Sequence, residues 1–481
     1  MKLCISRLIL TLSLLAALPT ASLPQNIVPE NTELRTLDTS RGGVTVVEQQ
    51  TEHSTNGTIL SHRGYILYNG DTVTMERLES QNNLSAPVTA QWRLPQSTGM
   101  VRWYDTEQGR WLATALRPLT KTASCITITT DDGGETMIYT PKVYENLGSG
   151  TLRHQPSLDG SLTVSADGEG YLVQLTVPRL PAGMEAHWTV VTSQEALLDW
   201  AGGTDDDFWS AYTLDHDSKW CFDGYYYPSP SLYTPHGDNC YYRLPAAYLV
   251  KSFVHGAPAV RAAEDLGIAG LDTMLMQQNT AGYFPTLPIS QWLQSSYGIG
   301  GGFYDTRFNT DLAEIFYHSS QTLQCAEFDA AMNRYFDFFL DFAANHHVVT
   351  AGGGWLVEDY YHPASTRQVH TSLNHQLAEI LTLYHFSEQL QREDLAQLAE
   401  RMLLAVRDTA DNWIRSDGDL HYARYPGGTY SETDYPYLTY NDLYLLRAYL
   451  SERGRTVPEL QQLMDSKRAW MDRNGITGYL K

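Results

Sequence analysis

The hydrophobic period of this chain changes once, near Leu244, and that change limits the folds open to it more than any other feature. Upstream, from about Val44 to Thr192, short runs rich in β-branched and aromatic residues alternate apolar with polar. That is the period-2 pattern of half-buried strands. Turn residues separate the runs, as at Asn69-Gly70-Asp71, Asp105 to Gly109 and Ala166 to Gly170. Short strands with regularly spaced hairpins predict an antiparallel β-sandwich. Downstream the period is helical. Leu244 to Val254 with Ala257 to Met276, Asp311 to Leu323 with Glu327 to Asn345, His370 to Gln391 with Asp394 to Trp413, and Asn441 to Glu452 with Val457 to Arg473 read as four helical pairs. Four such pairs in succession point, by analogy of fold, to an incomplete (α/α) toroid or barrel.

The expected division is therefore a leader over residues 1–21, a β-sandwich over 22–195, an aromatic connecting segment over 196–243 and a helical domain over 244–481. The leader follows from Lys2 and Arg7, the apolar run Leu8 to Leu18 and the small residues Thr20-Ala21-Ser22, the pattern of an export signal. Its apolar run falls short of the roughly 20 residues of a membrane span. The expected location is periplasmic or secreted. The connecting segment crowds Trp209, Trp220, Tyr225, Tyr226, Tyr227, Tyr233, Tyr241 and Tyr242 among prolines. It reads as ordered packing between domains or as lining of a cleft, not as a flexible linker. The sandwich reads as support for the helices, with glycan binding or pairing of two copies into a homodimer as its functional alternatives.

A formal net charge of −22 argues against nucleic acid or an anionic membrane as partner, since both need basic surface. It leaves room for an anionic substrate held by a few local arginines. Beyond Cys4 in the leader there are four cysteines, Cys125, Cys221, Cys240 and Cys325. None has CxxC spacing, so no metal site and no cofactor are expected from them. Cys221 and Cys240 flank an aromatic loop and suit either a disulfide or two buried thiols.

Chemistry-bearing residues gather between Trp355 and Leu446 at the ends of successive helices. Glu358 and Asp359 stand beside Tyr360 just before Pro363. As neighbours on an extended segment they face opposite ways, so a facing partner for glycoside hydrolysis has to come from elsewhere, for instance Asp305 or Asp434. His370 and Asn374 lie four residues apart on one helix face; a weak metal pair, sugar hydrogen bonding and plain polar packing are all open. Arg307 follows a glycine-rich loop. It either clamps a substrate carboxylate or pairs with a neighbouring aspartate, while Asp311 or Asn309 caps the next helix.

The order of these motifs resembles the C-terminal domain of D-glucuronyl C5-epimerases. That family shows W-x-E-E-Y-P, a long helical hairpin, G-x-I-Y-D-L-R-H, W-D-Y-H and a downstream N-x-L-x-L-L. Here Trp355 is followed by Glu358-Asp359-Tyr360, a hairpin of similar length, and Gly418-Asp419-Leu420-His421-Tyr422-Ala423-Arg424-Tyr425. Asp434-Tyr435 and Asn441-x-Leu443-x-Leu445-Leu446 come next, so the likeness covers about ninety residues. The resemblance implies Tyr360 and Tyr435 as acid and base, Asp359 as the acid beside the first tyrosine, and Arg424 as the holder of the substrate carboxylate. It also implies a third tyrosine. Alignment on Gly418 puts His421 in that place with Tyr422 one residue off, and on a strand one residue reverses the face.

The chemistry suits the residues. A uronic acid C5 hydrogen is α to a carboxylate; removing it builds negative charge that an arginine stabilises. Epimerisation needs a base on one face of the ring and an acid on the other. A phenol titrates near 10, so a basic tyrosine has to be ionised by nearby cations. The expected activity is C5 epimerisation of a uronic acid-containing polysaccharide. The alternatives are a polysaccharide lyase or glycoside hydrolase on the same toroid, or a glycan-binding protein without catalysis. A calcium ion shaping the cleft is compatible with each.

Overall fold

The computed structural model describes residues 28–53, 57–95, 98–105, 107–202 and 218–481. The leader expected over residues 1–21 and Trp209 lie outside the described residues. Among the described residues, no helix is long and apolar enough to cross a membrane.

The alternating segments form two antiparallel sheets. The larger has thirteen strands and the smaller has four, in the order Val88–Leu94, Gly170–Val177, Ser161–Asp167, Leu119–Lys121. Alternation sends each side chain of a strand to one face or the other. On one face of the large sheet, Leu78, Ile138, Trp188 and Val190 meet Leu162, Val164, Val173 and Leu175 of the small sheet. On the other, Tyr65, Val73, Met75 and Val191 join the helical core. The large sheet is thus a middle layer with both faces covered. The aromatic segment differs from expectation in its form: Lys219–Cys221, Gly224–Pro228 and Cys240–Arg243 are strands that extend the large sheet beyond Thr151–His154. Cys221 and Cys240 are buried free thiols, as are Cys125 and Cys325; the disulfide is not formed.

Nine helices follow among the described residues. They are α1 (Tyr248–Gly256), α2 (Arg261–Leu275), the short α3 (Gln291–Tyr297), α4 (Thr306–Ser320), α5 (Ala326–Asn345), α6 (Leu373–Gln389), α7 (Glu393–Trp413), α8 (Leu438–Glu452) and α9 (Pro458–Arg473). The eight read from the sequence shift by five residues at most at any end. Helices α1, α4, α6 and α8 pack side by side in an inner row, and α2, α5, α7 and α9 form an outer row behind them. The outer helix α7 shows an ordinary apolar stripe, Leu395, Leu398, Ala399, Met402, Leu403, Val406 and Ala410, the spacing of a helix with one buried face. The inner helix α6 differs. It buries Asn374, His375, Gln376, Glu379 and Thr382 among its leucines. Residues of α1, α4, α6 and α8 line one cavity of about 320 Å³ on the concave side. The arrangement among the described residues is a two-layered arc of four hairpins.

Sheet and arc meet through acids on α2. Asp272 is buried and accepts from Arg35 Nη1 at 2.6 Å and from Tyr65 Oη at 2.9 Å. Glu264 takes Tyr68 and Arg41, and Asp265 accepts from Asn69 Nδ2 at 3.0 Å. Losing Asp272 strands a buried phenol and a guanidinium. Because Arg35 is 37% exposed, the cost falls at the low end for a broken buried pair. Asp272→Ala is expected to lower unfolding free energy by about 3 kcal/mol. Arg41→Ala, at a solvated rim, costs less than about 1 kcal/mol. Urea titrations of the two variants check the contrast.

Candidate active site

Short strands stand at the entrances of the inner helices and build a rim. Tyr304–Asp305 leads into α4, and Tyr360–Tyr361 pairs with it, Asp305 opposite Tyr360. Thr371–Ser372 leads into α6 and pairs with His421–Arg424, which pairs in turn with Tyr430–Thr433. Gln376 at the start of α6 ties this rim down. Its Nε2 donates to Trp355 O at 2.9 Å and its Oε1 accepts from Val357 N at 3.0 Å.

The register decides which side chains meet. The Tyr422 ring lies 5.9 Å from His370 and 5.7 Å from Tyr435. Tyr360 lies 5.5 Å from His370 and 6.2 Å from Trp292. Tyr360 and Tyr422 therefore flank one imidazole, joined by Tyr425 at 5.4 Å, and Tyr435 joins the cluster through Tyr422. His421 points to the other face of its strand, where it meets Tyr430 at 6.3 Å. Alignment on Gly418 favours His421, but the pleat presents Tyr422. Arg424 shares the Tyr422 side of the pleat, opposite Thr371, and makes no ion pair among the described residues.

Behind the tyrosines lies a buried carboxylate. Asp359 accepts from Ser372 N at 2.8 Å and from the Ser372 hydroxyl, and its Oδ2 stands 3.2 Å from His370 Nε2. Burial alone would raise its pKa. The facing imidazoles of His375 and His370 and the serine outweigh burial, and the group is held below the usual carboxylate range. The other nitrogen of His370 meets Tyr297 Oη at 2.9 Å. His375 bonds Thr306 Oγ1 at 2.8 Å, and burial pushes it down to about 4.

The remaining sequence candidates divide. Arg307 is used structurally: it donates to Asp311 at 2.9 Å, to Asp442 at 2.7 Å and to Asn374 O at 3.2 Å. So held, it is not free to clamp a substrate carboxylate, and it lines the cavity between the inner helices. Asn374 is buried beside it. Glu358 faces away, with His346 at 3.5 Å. Asn441 accepts from Leu480 N at 2.9 Å and ties down the last residues of the chain. Asp434 is bound to Lys467 at 2.9 Å and Thr439 at 2.6 Å. Among the described residues, no group of three or more His, Cys, Asp or Glu is set to hold a metal ion.

Three members of the site carry no sequence signal strong enough to single them out. Tyr297 and Trp292 sit on α3, a helix too short for periodicity to reveal. Tyr233 belongs to the aromatic segment; Asp305 and Tyr435 raise its pKa after burial does. The electrostatics also depart from expectation. Burial first, then the neighbouring phenol and carboxylates, push Tyr360 and Tyr422 well above the ordinary phenol value. Burial, Asp305 and Asp434 raise Tyr435. No cation ionises these tyrosines, and all three are proton donors at neutral pH.

No family model matches the chain, and no curated protein sequence matches it. Solved structures give weak similarities. A D-mannose isomerase is 12% identical with a TM-score of 0.34, over 47% of this chain and 59% of its own. The cellobiose 2-epimerase of Spirochaeta thermophila DSM 6192 is 13% identical with a TM-score of 0.38, over 48% and 59%. A family 76 glycoside hydrolase from a bovine Bacteroides thetaiotaomicron strain is 9% identical with a TM-score of 0.37, over 85% and 76%. The chain spans 59% of the length of the first two. At these scores the likenesses bear on no step of the chemistry.

Glu379 lies one turn below His375, 2% exposed. Burial, opposed only in part by Thr306, pushes it up to about 8. The folded state therefore binds a proton that the unfolded chain releases above about 4.5, the group's ordinary value. Stability falls as pH rises through that window and levels off above 8. Glu379→Gln is expected to flatten this slope, read from urea unfolding between about pH 4 and pH 9.

Proposed function

We propose that the chain is an exported carbohydrate-modifying enzyme, an incomplete α/α toroid whose rim moves protons at C5 of a uronic acid residue in a polysaccharide. One observation carries the reading. Tyr360 and Tyr422, far apart in sequence, meet at His370, Tyr435 packs on Tyr422, and Arg424 stands two residues beyond Tyr422 on the same strand. The motif order that resembles glucuronyl C5-epimerases accounts for the same residues.

In this mechanism Arg424 meets the substrate carboxylate. Negative charge grows there as the C5 proton leaves, and a fixed guanidinium stabilises it more in the transition state than in the ground state. The protonated phenols suit delivery of a proton to the ring. The flat faces of Trp292 and the tyrosines suit the apolar face of a sugar. Asp359 touches no substrate in this scheme. It orients His370 and, through Ser372, the strand that carries Tyr422.

The test is incubation of polyglucuronate, polymannuronate and polygalacturonate with the enzyme in D2O, followed by NMR. Deuterium at C5 without new chain ends is the expected result. An unsaturated, ultraviolet-absorbing product would replace this reading with a lyase, and new reducing ends without unsaturation with a hydrolase. Tyr422→Phe and Tyr435→Phe are each expected to slow exchange by about 10²–10⁴-fold. Arg424→Ala is expected to cost about 10²–10³-fold. Unchanged exchange in both phenol variants would take the proton-transfer role away from these tyrosines, and no exchange by wild type on any of the three uronans would leave only a glycan-binding role.

A further inference from the structure

A proton moved from one ring face to the other needs an acceptor, and protonated phenols do not provide one. The rim holds several carboxylates, but most are already engaged. Asp359 takes both the N–H and the O–H of Ser372. Asp434 is held by Lys467 and Thr439. Asp442 is held by Arg307, and Asp311 by Arg307 and by Tyr248 Oη at 2.9 Å. Glu379 lies in the core behind Thr306.

Asp305 is different. Its Oδ1 caps α4 by accepting from Phe308 N at 3.0 Å. The backbone N–H of Arg307 also reaches this carboxyl, but among the described residues no side chain donates a hydrogen bond to it. The ladder sets Asp305 directly opposite Tyr360, and paired residues project to the same side of a ladder. Its field reaches Tyr233 from the sheet side and Tyr435 from the entrance of α8. It thus sits among phenols from three separate segments, held by backbone N–H groups and by no side-chain donor among the described residues.

Resting on the proton-transfer reading above, we propose that Asp305 is the catalytic base of this site. The C5–H bond breaks, its electron pair moves into the substrate carboxylate system as an enediolate, and the proton goes to Oδ2 of Asp305. The Tyr435 O–H bond then breaks, and its proton forms the new C5–H bond on the opposite face. Proton exchange with water returns Asp305 to carboxylate and Tyr435 to phenol. The reverse reaction runs the same steps backward, with Tyr435 phenolate as acceptor.

The local environment fits this role. Burial raises the Asp305 carboxyl to about 7, against the lowering effect of the Phe308 N–H and with Asp359 and Asp311 adding to the rise. A base poised near working pH transfers protons most effectively.

Asp305→Asn keeps the cap, since an amide oxygen accepts from Phe308 N equally well, so the variant should fold. It is expected to lose about 10²–10⁴-fold in C5 deuterium exchange on the uronan that wild type exchanges. In wild type kcat/KM should fall on the acid side with a midpoint near pH 7, and that limb should be absent from the residual rate of Asp305→Asn. Formate should restore exchange to Asp305→Ala by standing in for the missing carboxylate. Full exchange in Asp305→Asn overturns the assignment and leaves the tyrosine reading intact. A slowed variant that keeps the acid limb, with no formate rescue, makes Asp305 a cap only and also overturns it. Wild type that exchanges none of the three uronans overturns the reading of the site, and the assignment with it.

Discussion

One buried carboxylate holds the rim of this molecule together. Asp359 comes from the loop after the strand Trp355–Val357, yet its bonds go to Ser372, and its neighbours are His370 and His375. An unpaired carboxylate with 1% exposure is strongly unfavourable, and two serine donors with two imidazoles offset that cost. The geometry around it is therefore narrow. Fixing Asp359 fixes Tyr360 next to it, the His370 ring between the phenols, and the strand Thr371–Ser372 that sets the register of Tyr422 and Arg424.

The inner helices carry the same theme. A helix facing a packed core buries leucines; α6 buries two carboxamides, an imidazole and a carboxyl in its first turns. Such groups cost stability unless partnered. The partners here are the backbone of the rim, through Gln376, and the side chains of α4, through His375 and Thr306. The polar stripe of the inner row and the order of the rim are two sides of one arrangement, and the apolar stripe of α7 behind it supplies the support.

The helices from Leu244 onward were legible because their periods are long and their apolar stripes clean. Hairpin turns at Asn69, Asp105 and Ala166 were legible because turn residues sit between strand-like runs. The site was legible in its membership more than in its geometry. Tyr360, Tyr435 and Arg424 stand in recognisable motifs, but the choice between His421 and Tyr422 depends on pairing with residues fifty positions away, which no local pattern records. The sequence places the helix cap at Asp311 or Asn309, but the helix starts five residues before Asp311, both lie inside it and Asp305 is the cap; that Asp305 also stands opposite Tyr360 is set by strand pairing that no local pattern records. The sign of the electrostatics was hidden for the same reason. The number of acids can be read from composition, but the burial that keeps the phenols protonated cannot.

The strand that carries Tyr233 has a consequence for how this protein can be divided. Tyr233 belongs to the sheet-bearing segment, packs on Tyr242 and pairs with Ser290 of the helical part. Tyr233 thus brings a residue of the sheet-bearing segment up to Asp305 and Tyr435. A helical fragment cut near residue 244 would lack Tyr233, the strand that pairs with Ile289–Ser290 and the sheet residues packed into the helical core. The sheet-bearing segment is in this sense part of the wall around the candidate site rather than a passenger attached to it.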